Sequence, residues 1–199
     1  MIQISILWKN VMSNFSFNIV CTTVGRPSLP RLINSFKDQL SEKDFFTIIS
    51  DVNHDYVSEV ISSYKTKFEI IHIKNEGDQL GKYGHPLLNK HLDNLNGDFI
   101  MFADDDDYYV EDAFEYIKKT VLEKKLYVFR HDWYGTINWA QPNFEIGNVG
   151  KCLGAIPNIK KFPKFREDVF GDCYFYFDLS QILEYEFVDK IIYKIRETQ

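Results

Sequence analysis

What this sequence has little of narrows it first. It holds three cysteines in 199 residues (Cys21, Cys152 and Cys173), an odd number with no CxxC spacing. That excludes a disulfide framework and a zinc site of paired thiolates, and it fits reduced thiols in a reducing, cytoplasmic compartment. No apolar run approaches the ~18 residues a membrane-spanning helix needs, so no transmembrane segment is expected. The N-terminal Ile2-Gln3-Ile4-Ser5-Ile6-Leu7-Trp8 is too short and too alternating for a signal peptide. Residues 1–16 read as an appendage, with Met12 a candidate second start. Basic residues are in deficit, 23 Lys and Arg against 29 Asp and Glu, for a formal net charge of −6. A phosphate-rich polymer needs a basic surface, so no nucleic-acid partner is expected. No internal repeat, low-complexity tract or linker interrupts the chain.

What is present is a globular composition, 45% hydrophobic and 16% aromatic. Residues 1–199 are expected to form one domain, of a length that leaves room for a larger polypeptide around it. Phe17 to Cys21 reads as a buried strand, and Leu29, Leu32, Ile33, Phe36 and Leu40 recur at helical spacing behind a candidate N-cap, Ser28. Phe45–Ser50 is a second strand, and Val57, Val60, Ile61 and Tyr64 mark a second helix. Phe68 to Ile73 is a third strand, followed by a loop carrying Gly77, Gly81 and Gly84. Pro86 opens a helix through Leu95, and Asp98 to Ala103 is the fourth strand. Three rounds of strand–helix alternation predict an α/β fold with a parallel sheet and right-handed crossovers. Beyond a helix at 113–122 and a strand at Leu126 to Phe129, the pattern degrades into aromatic hairpins or loops at 131–150. A strand and turn at Cys152 to Ile159 and a helical turn leading into a strand at Lys190 to Ile195 complete the reading.

The fourth strand ends in Asp104-Asp105-Asp106-Asp107. Four adjacent like charges are mutually destabilising, and a hard divalent cation makes such a cluster favourable. A solvated acidic turn is the plainer alternative, but ligands of open α/β sheets bind just outside the carboxyl ends of strands. Thr22/Thr23, Asp51 and Asp104/Asp106 all fall at strand exits on one sheet edge, which suggests one cleft.

Cys21-Thr22-Thr23-Val24-Gly25-Arg26-Pro27, Ile49-Ser50-Asp51, and the stretch from Asn89 through Asn96-Gly97-Asp98-Phe99 to Asp107-Tyr108-Tyr109 carry a resemblance. Over about 17–115 the chain resembles family 2 glycosyltransferases of the GT-A fold. The resemblance implies a GT-A, Rossmann-like and mostly parallel sheet flanked by helices. It implies a nucleotide-sugar-binding half at about 17–115 and a less regular acceptor-side half at about 116–199. It implies an inverting transfer from a UDP-sugar to a hydroxyl of a glycan or glycoconjugate acceptor, with Mn²⁺ or Mg²⁺ as cofactor. By resemblance the DxD motif is Asp104-x-Asp106. Asp106 would be the direct metal ligand, and Asp104 would contact the donor ribose or the metal through water. Asp51 would accept from the uracil imide, Thr22, Thr23 and Arg26 would line the nucleotide pocket, and Asp105 would lie beside them. The family often has an Arg where Leu88 precedes Asn89; Lys82 or His85 would take its place.

Inverting transfer also needs a carboxylate to take the acceptor's proton. The family places it where an acid opens a helix, which gives Asp172 first, in Gly171-Asp172-Cys173-Tyr174, and Asp168 as the alternative, in Glu167-Asp168. One of the two is expected to be only a cap. His131 and Asp132 read as structural ahead of an acceptor or metal contact. Trp133, Tyr134 and Trp139 divide evenly between sugar stacking and core packing. Arg196 reads as a solvated charge ahead of a diphosphate contact. Three other classes stand beside this reading. A sugar-1-phosphate nucleotidyltransferase would need a GxGTRxxP-type loop that Thr22 to Pro27 does not supply. A catalytically inactive nucleotide-sugar- or metal-binding scaffold would keep the donor pocket but bring neither Asp172 nor Asp168 into the cleft. A Ca²⁺ module would need spaced DxDxDG ligands instead of a contiguous run.

Overall fold

The computed structural model describes residues 12–139 and 141–195. Residues 1–11 and Arg196 lie outside the described residues. In chain order the elements are β1 (Phe17–Thr23), α1 (Leu29–Phe36), β2 (Phe45–Ser50), α2 (His54–Ser62) and β3 (Glu69–Lys74). Then come α3 (His85–His91), β4 (Phe99–Asp104), β5 (Tyr108–Tyr109), α4 (Ala113–Thr120) and β6 (Leu126–Trp133). The chain finishes with β7 (Thr136–Ile137), β8 (Gly154–Pro157), α5 (Gly171–Ser180) and β9 (Tyr185–Ile195). One sheet runs β3-β2-β1-β4-β8-β6-β9-β5, with β7 paired to β6. Its first four strands are parallel, as the alternation predicts. The second half enters through β8, which runs antiparallel to both β4 and β6.

The apolar runs of β1 and β4 are continuous because both of their faces are covered. Successive side chains point to opposite faces. Phe17, Ile19 and Cys21 join Phe99, Met101 and Ala103 in one core with α1, α2 and α4. Val20, Ile100 and Phe102 enter the other core with α3 and α5. The result is three layers, helix–sheet–helix, with a mostly parallel sheet in the middle.

Several local expectations shift. Ser28 makes no capping hydrogen bond because its own backbone is already helical. Helix α1 stops at Phe36, and Leu40 is buried in the turn after it. Helix α3 ends at His91 and passes into a 3₁₀ turn, Leu92–Asn94. The last strand starts five residues earlier than Lys190, at Tyr185. The helical turn expected from Ile182 is instead a short turn just past α5, which ends at Ser180 and whose Cys-Tyr-Phe-Tyr-Phe run is too uniformly apolar to show a helical period. Trp139 is buried, stacking on the Arg130 guanidinium at 4.0 Å and packing on Phe187. Trp133 and Tyr134 stay exposed at the β6–β7 hairpin.

His131 is 8% exposed on β6. Burial pushes its imidazole down to about 4, against the opposing pull of Asp132. In the unfolded chain a histidine titrates near ~6.5. The folded value is depressed, so between these two values the unfolded state binds a proton that the native state refuses. Stability is therefore present above pH ~6.5 and falls as pH drops toward about 4, by ~1.4 kcal/mol per pH unit. Urea unfolding at pH 7 and pH 5 should show a loss on the order of 2 kcal/mol from this group. His131→Gln should remove that part of the loss. An identical pH 7-to-5 loss in the variant would contradict it.

Candidate functional site

The sheet register builds the site. Thr22 of β1 pairs with Asp104 of β4, and Thr23 pairs with Ser50 of β2. The parallel ladder continues one step further, where the Asp51 amide donates to the Thr23 carbonyl at 2.8 Å. Three successive strand exits therefore open on one edge. Above them lies a cleft of about 620 Å³.

The first loop and the acidic turn hold each other. Arg26 Nη1 donates to Asp105 Oδ1 at 2.9 Å and to Asp106 Oδ2 at 2.7 Å. Thr23 Oγ1 donates to Asp105 Oδ2 at 2.5 Å and accepts from the Gly25 amide at 2.8 Å. Asp105 is 3% exposed. Burial pushes its carboxyl up; Thr23 and Arg26 oppose that, while Asp106 and Asp104 add to it, and the balance lies above the usual carboxylate range. Asp104 goes the other way. Burial is the largest single influence and pushes it up, but the ammonium of Lys151, 2.5 Å from Oδ1, together with Cys152 and Arg26, holds it below the usual range. Burial pushes Lys151 down, and Asp104, Cys152 and Asp172 together push it up, so the ammonium is held. Tyr193 fixes the turn from beneath, its hydroxyl accepting from the Asp104 amide at 2.9 Å.

At the β2 exit Asp51 is buried, and its carboxylate accepts from the Gly81 amide at 2.8 Å, from Asn75 Nδ2 at 3.0 Å, and from the Leu80 amide, which lies 3.1 Å from both oxygens. The Gly-rich loop closes the wall. Gly84, at φ 76°, lies where a side chain's Cβ would fall 2.1 Å from Thr22 Oγ1, so only glycine fits. Lys82 lines the cleft and pairs with Glu167.

The second half contributes Asp172, in the first turn of α5. Its Oδ1 contacts His85 Nε2 at 2.9 Å, and its Oδ2 accepts from the Lys151 amide at 3.0 Å. Lys151 thus touches Asp104 through its side chain and Asp172 through its backbone.

A sequence profile described as glycosyl transferase family 2 matches residues 18–175. The chain belongs to that family. No curated protein matches the sequence. Among solved structures, S. aureus TarS residues 1–349 superposes with a TM-score of 0.71 at 14% identity, over 90% of this chain and 60% of that one. The same protein in complex with UDP-GlcNAc gives 0.67 at 15%, over 92% and 59%. A mannosyltransferase from Pyrobaculum calidifontis in complex with GDP-Man and Mn²⁺ gives 0.67 at 10%, over 91% and 56%. At such identities the superpositions establish the GT-A fold. This chain spans about 60% of the length of the structures it matches.

Of the residues picked from the sequence of this family member, Thr22, Thr23, Arg26, Asp51, Lys82, Asp104, Asp105, Asp106 and Asp172 all line the one cleft. Asp168 does not line it. Asp168 is exposed, and its Oδ1 accepts from the Phe170 amide at 2.8 Å, a turn cap just ahead of α5. Leu88, where the family often has an Arg, is core. Asn89 clamps the backbone of Phe165, donating to its carbonyl and accepting from its amide, both at 2.8 Å. His54 contacts the Ser50 hydroxyl, which His72 also contacts. The residue sequence reasoning passed over is Lys151. Its signal was a lone cation between apolar Val149 and Cys152-Leu153, a position where an unpaired charge would be costly.

Among the described residues, no group of three or more His, Cys, Asp or Glu side chains forms a metal cage. Asp104 and Asp106 nonetheless present hard carboxylate oxygens to the same cleft, which suits a metal completed by water and substrate phosphate. Thr23→Val should leave buried Asp105 short of a donor and lower stability by ~1–3 kcal/mol. Denaturant titration checks this, and an unchanged unfolding midpoint would contradict it.

Proposed function

We propose that this chain is an inverting, divalent-metal-dependent glycosyltransferase, transferring a sugar from a UDP-sugar to a hydroxyl of a glycan or glycoconjugate. One observation carries the reading: the strand-exit acids and Asp172 of the second half line a single cleft. In this reading residues 17–115 serve the donor and 116–199 the acceptor, within one domain. In this reading Asp51 accepts from the base imide, its carboxylate anchored by Asn75 and by the amides of Leu80 and Gly81. Thr22, Thr23, Arg26 and Lys82 line the nucleotide, with Asp105 tying the Arg26 loop down.

Asp104 and Asp106 would hold Mn²⁺ or Mg²⁺, and a bound metal supplies positive charge to a departing diphosphate. The neighbours solved with UDP-GlcNAc, and with GDP-Man and Mn²⁺, support a nucleotide-sugar donor and a metal. Asp172 takes the proton as the acceptor O–H bond breaks. The acceptor oxygen attacks the anomeric carbon from the face opposite the diphosphate, which leaves with the bonding pair. Each Asp172 oxygen has one hydrogen-bond partner, His85 on Oδ1 and the Lys151 amide on Oδ2, which leaves lone-pair capacity for the proton. The scaffold alternative gains if neither Asp172 nor Asp168 reaches the cleft, and Asp172 lines it. No described helix is long and apolar enough to cross a membrane. Three free, buried cysteines fit a reducing, cytoplasmic setting.

Two substitutions test the two halves separately. Asp106→Ala should abolish Mn²⁺-dependent binding of UDP in calorimetry; equal affinity with and without the substitution would remove the metal site. Asp172→Asn should keep that binding and lower transfer by on the order of 10²–10⁴, the usual contribution of a general base. Transfer that survives in this variant and disappears in Asp168→Asn would reassign the base.

A further inference from the structure

His85 stands where hydrogen-bond chemistry constrains it. Its Nδ1 lies 2.8 Å from the Arg166 carbonyl oxygen, and its Nε2 lies 2.9 Å from Asp172 Oδ1. Both partners are acceptors. A neutral imidazole donates from one nitrogen only, so one contact would oppose two lone pairs. The arrangement needs one more proton than neutral His85 and ionised Asp172 carry together. Asp172 Oδ2 already accepts the Lys151 amide, and a carboxylate receiving two N–H donors is best served ionised. The proton therefore belongs on the ring.

The ring is also built in. It is 2% exposed, stacks on Phe165 with centroids 5.0 Å apart and planes 14° apart, and has Tyr83 at 5.8 Å. Gly171 makes room for it: a Cβ there would fall 2.7 Å from His85 Cε1. Asp172 is the charged side chain in hydrogen-bond contact with the ring. Helix α3 and the first turn of α5 are thus joined through this pair.

We infer that His85 is a positioning residue, held as an imidazolium, that aims the Asp172 carboxylate into the cleft. Its value for transfer rests on reading Asp172 as the base; its protonation does not. Substitution chemistry separates the parts. In Asp172→Asn the amide oxygen can accept from the Lys151 N–H while the amide nitrogen donates to a neutral His85 Nε2. That variant satisfies every partner and dispenses with the extra proton. In His85→Gln the amide nitrogen falls where Nε2 stood and still donates to Asp172. In His85→Asn it falls where Nδ1 stood and reaches only Arg166.

The first measurement is ¹⁵N NMR of histidine-labelled protein at pH 7, with His85 assigned by its loss in His85→Gln. The expected result is a ring protonated at both nitrogens in the wild-type chain and at one in Asp172→Asn. A wild-type ring protonated at one nitrogen, or no change on substitution, overturns the inference. The second is kinetic, with UDP-sugar donor and an accepted acceptor. His85→Asn should lower kcat on the order of tenfold to a hundredfold, the scale of a misplaced catalytic group, with donor KM unchanged. His85→Gln should restore most of kcat. Equal kcat in wild type and His85→Asn, or an Asn variant that loses donor binding instead, overturns the positioning role. If Asp172→Asn retains transfer while the ring proton behaves as expected, the base assignment fails and the ion pair stands.

Discussion

Four carboxylates in a row at the end of a buried strand repel one another, and every other feature of the site answers that repulsion. Asp105 and Asp107 are buried, and Asp104 and Asp106 half-buried, so water cannot screen the turn fully. The compensating groups come from far away in sequence. Arg26 arrives from the loop after β1 and Lys151 from the turn before β8, while the Tyr193 hydroxyl of β9 holds the backbone of Asp104. Buried ion pairs contribute little net stability once desolvation is counted, but removing one partner is expensive. The acidic turn thus makes the site conditional on the fold: it is tolerable only when the first loop and the second half are both in place.

Lys151 is the joint between the halves. Its ammonium sits on Asp104, its amide on Asp172, and its carbonyl accepts from the Tyr176 hydroxyl at 2.8 Å. One residue therefore sets the separation of the strand-exit acids from the acid on α5. Topology makes this possible. The 3₁₀ turn Lys151–Leu153 leads directly into β8, and β8 is wedged between β4 and β6. A second half packed beside the sheet, instead of paired into it, would leave this lysine out of reach of β4.

The first half was legible because its physics is local. Fully covered strands read as unbroken apolar runs, helices α1 and α2 carry apolar residues at helical spacing, and parallel pairing brings Thr23, Asp51 and Asp104 to one edge. Asp172 was legible only through the family resemblance, which places an acid at the start of a helix. The second half hid its helix because α5 is apolar on nearly every side, and it hid the start of β9 because Tyr185 and Glu186 are exposed. The pairs that complete the site leave no local trace. His85 and Asp172 are 87 residues apart, and Lys151 and Asp104 are 47 apart (151 minus 104). Sequence could name the acids and Arg26 beside them, but not the Lys151 and His85 pairings that hold Asp104 and Asp172.

The electrostatics of the cleft also bear on what can enter it. Its lining includes six aspartates, at 51, 104, 105, 106, 107 and 172, against three cations, Arg26, Lys82 and Lys151, beside the His85 imidazolium inferred above. Those cations already have acidic partners: Arg26 has Asp105 and Asp106, Lys82 has Glu167, and Lys151 has Asp104. A diphosphate entering alone would add negative charge to an acidic cleft and draw cations away from carboxylates left buried behind them. In the proposed reading Asp104 and Asp106 would hold a divalent cation entering with it, whose charge would offset the added negative charge and leave Lys151 and Arg26 able to turn toward phosphate.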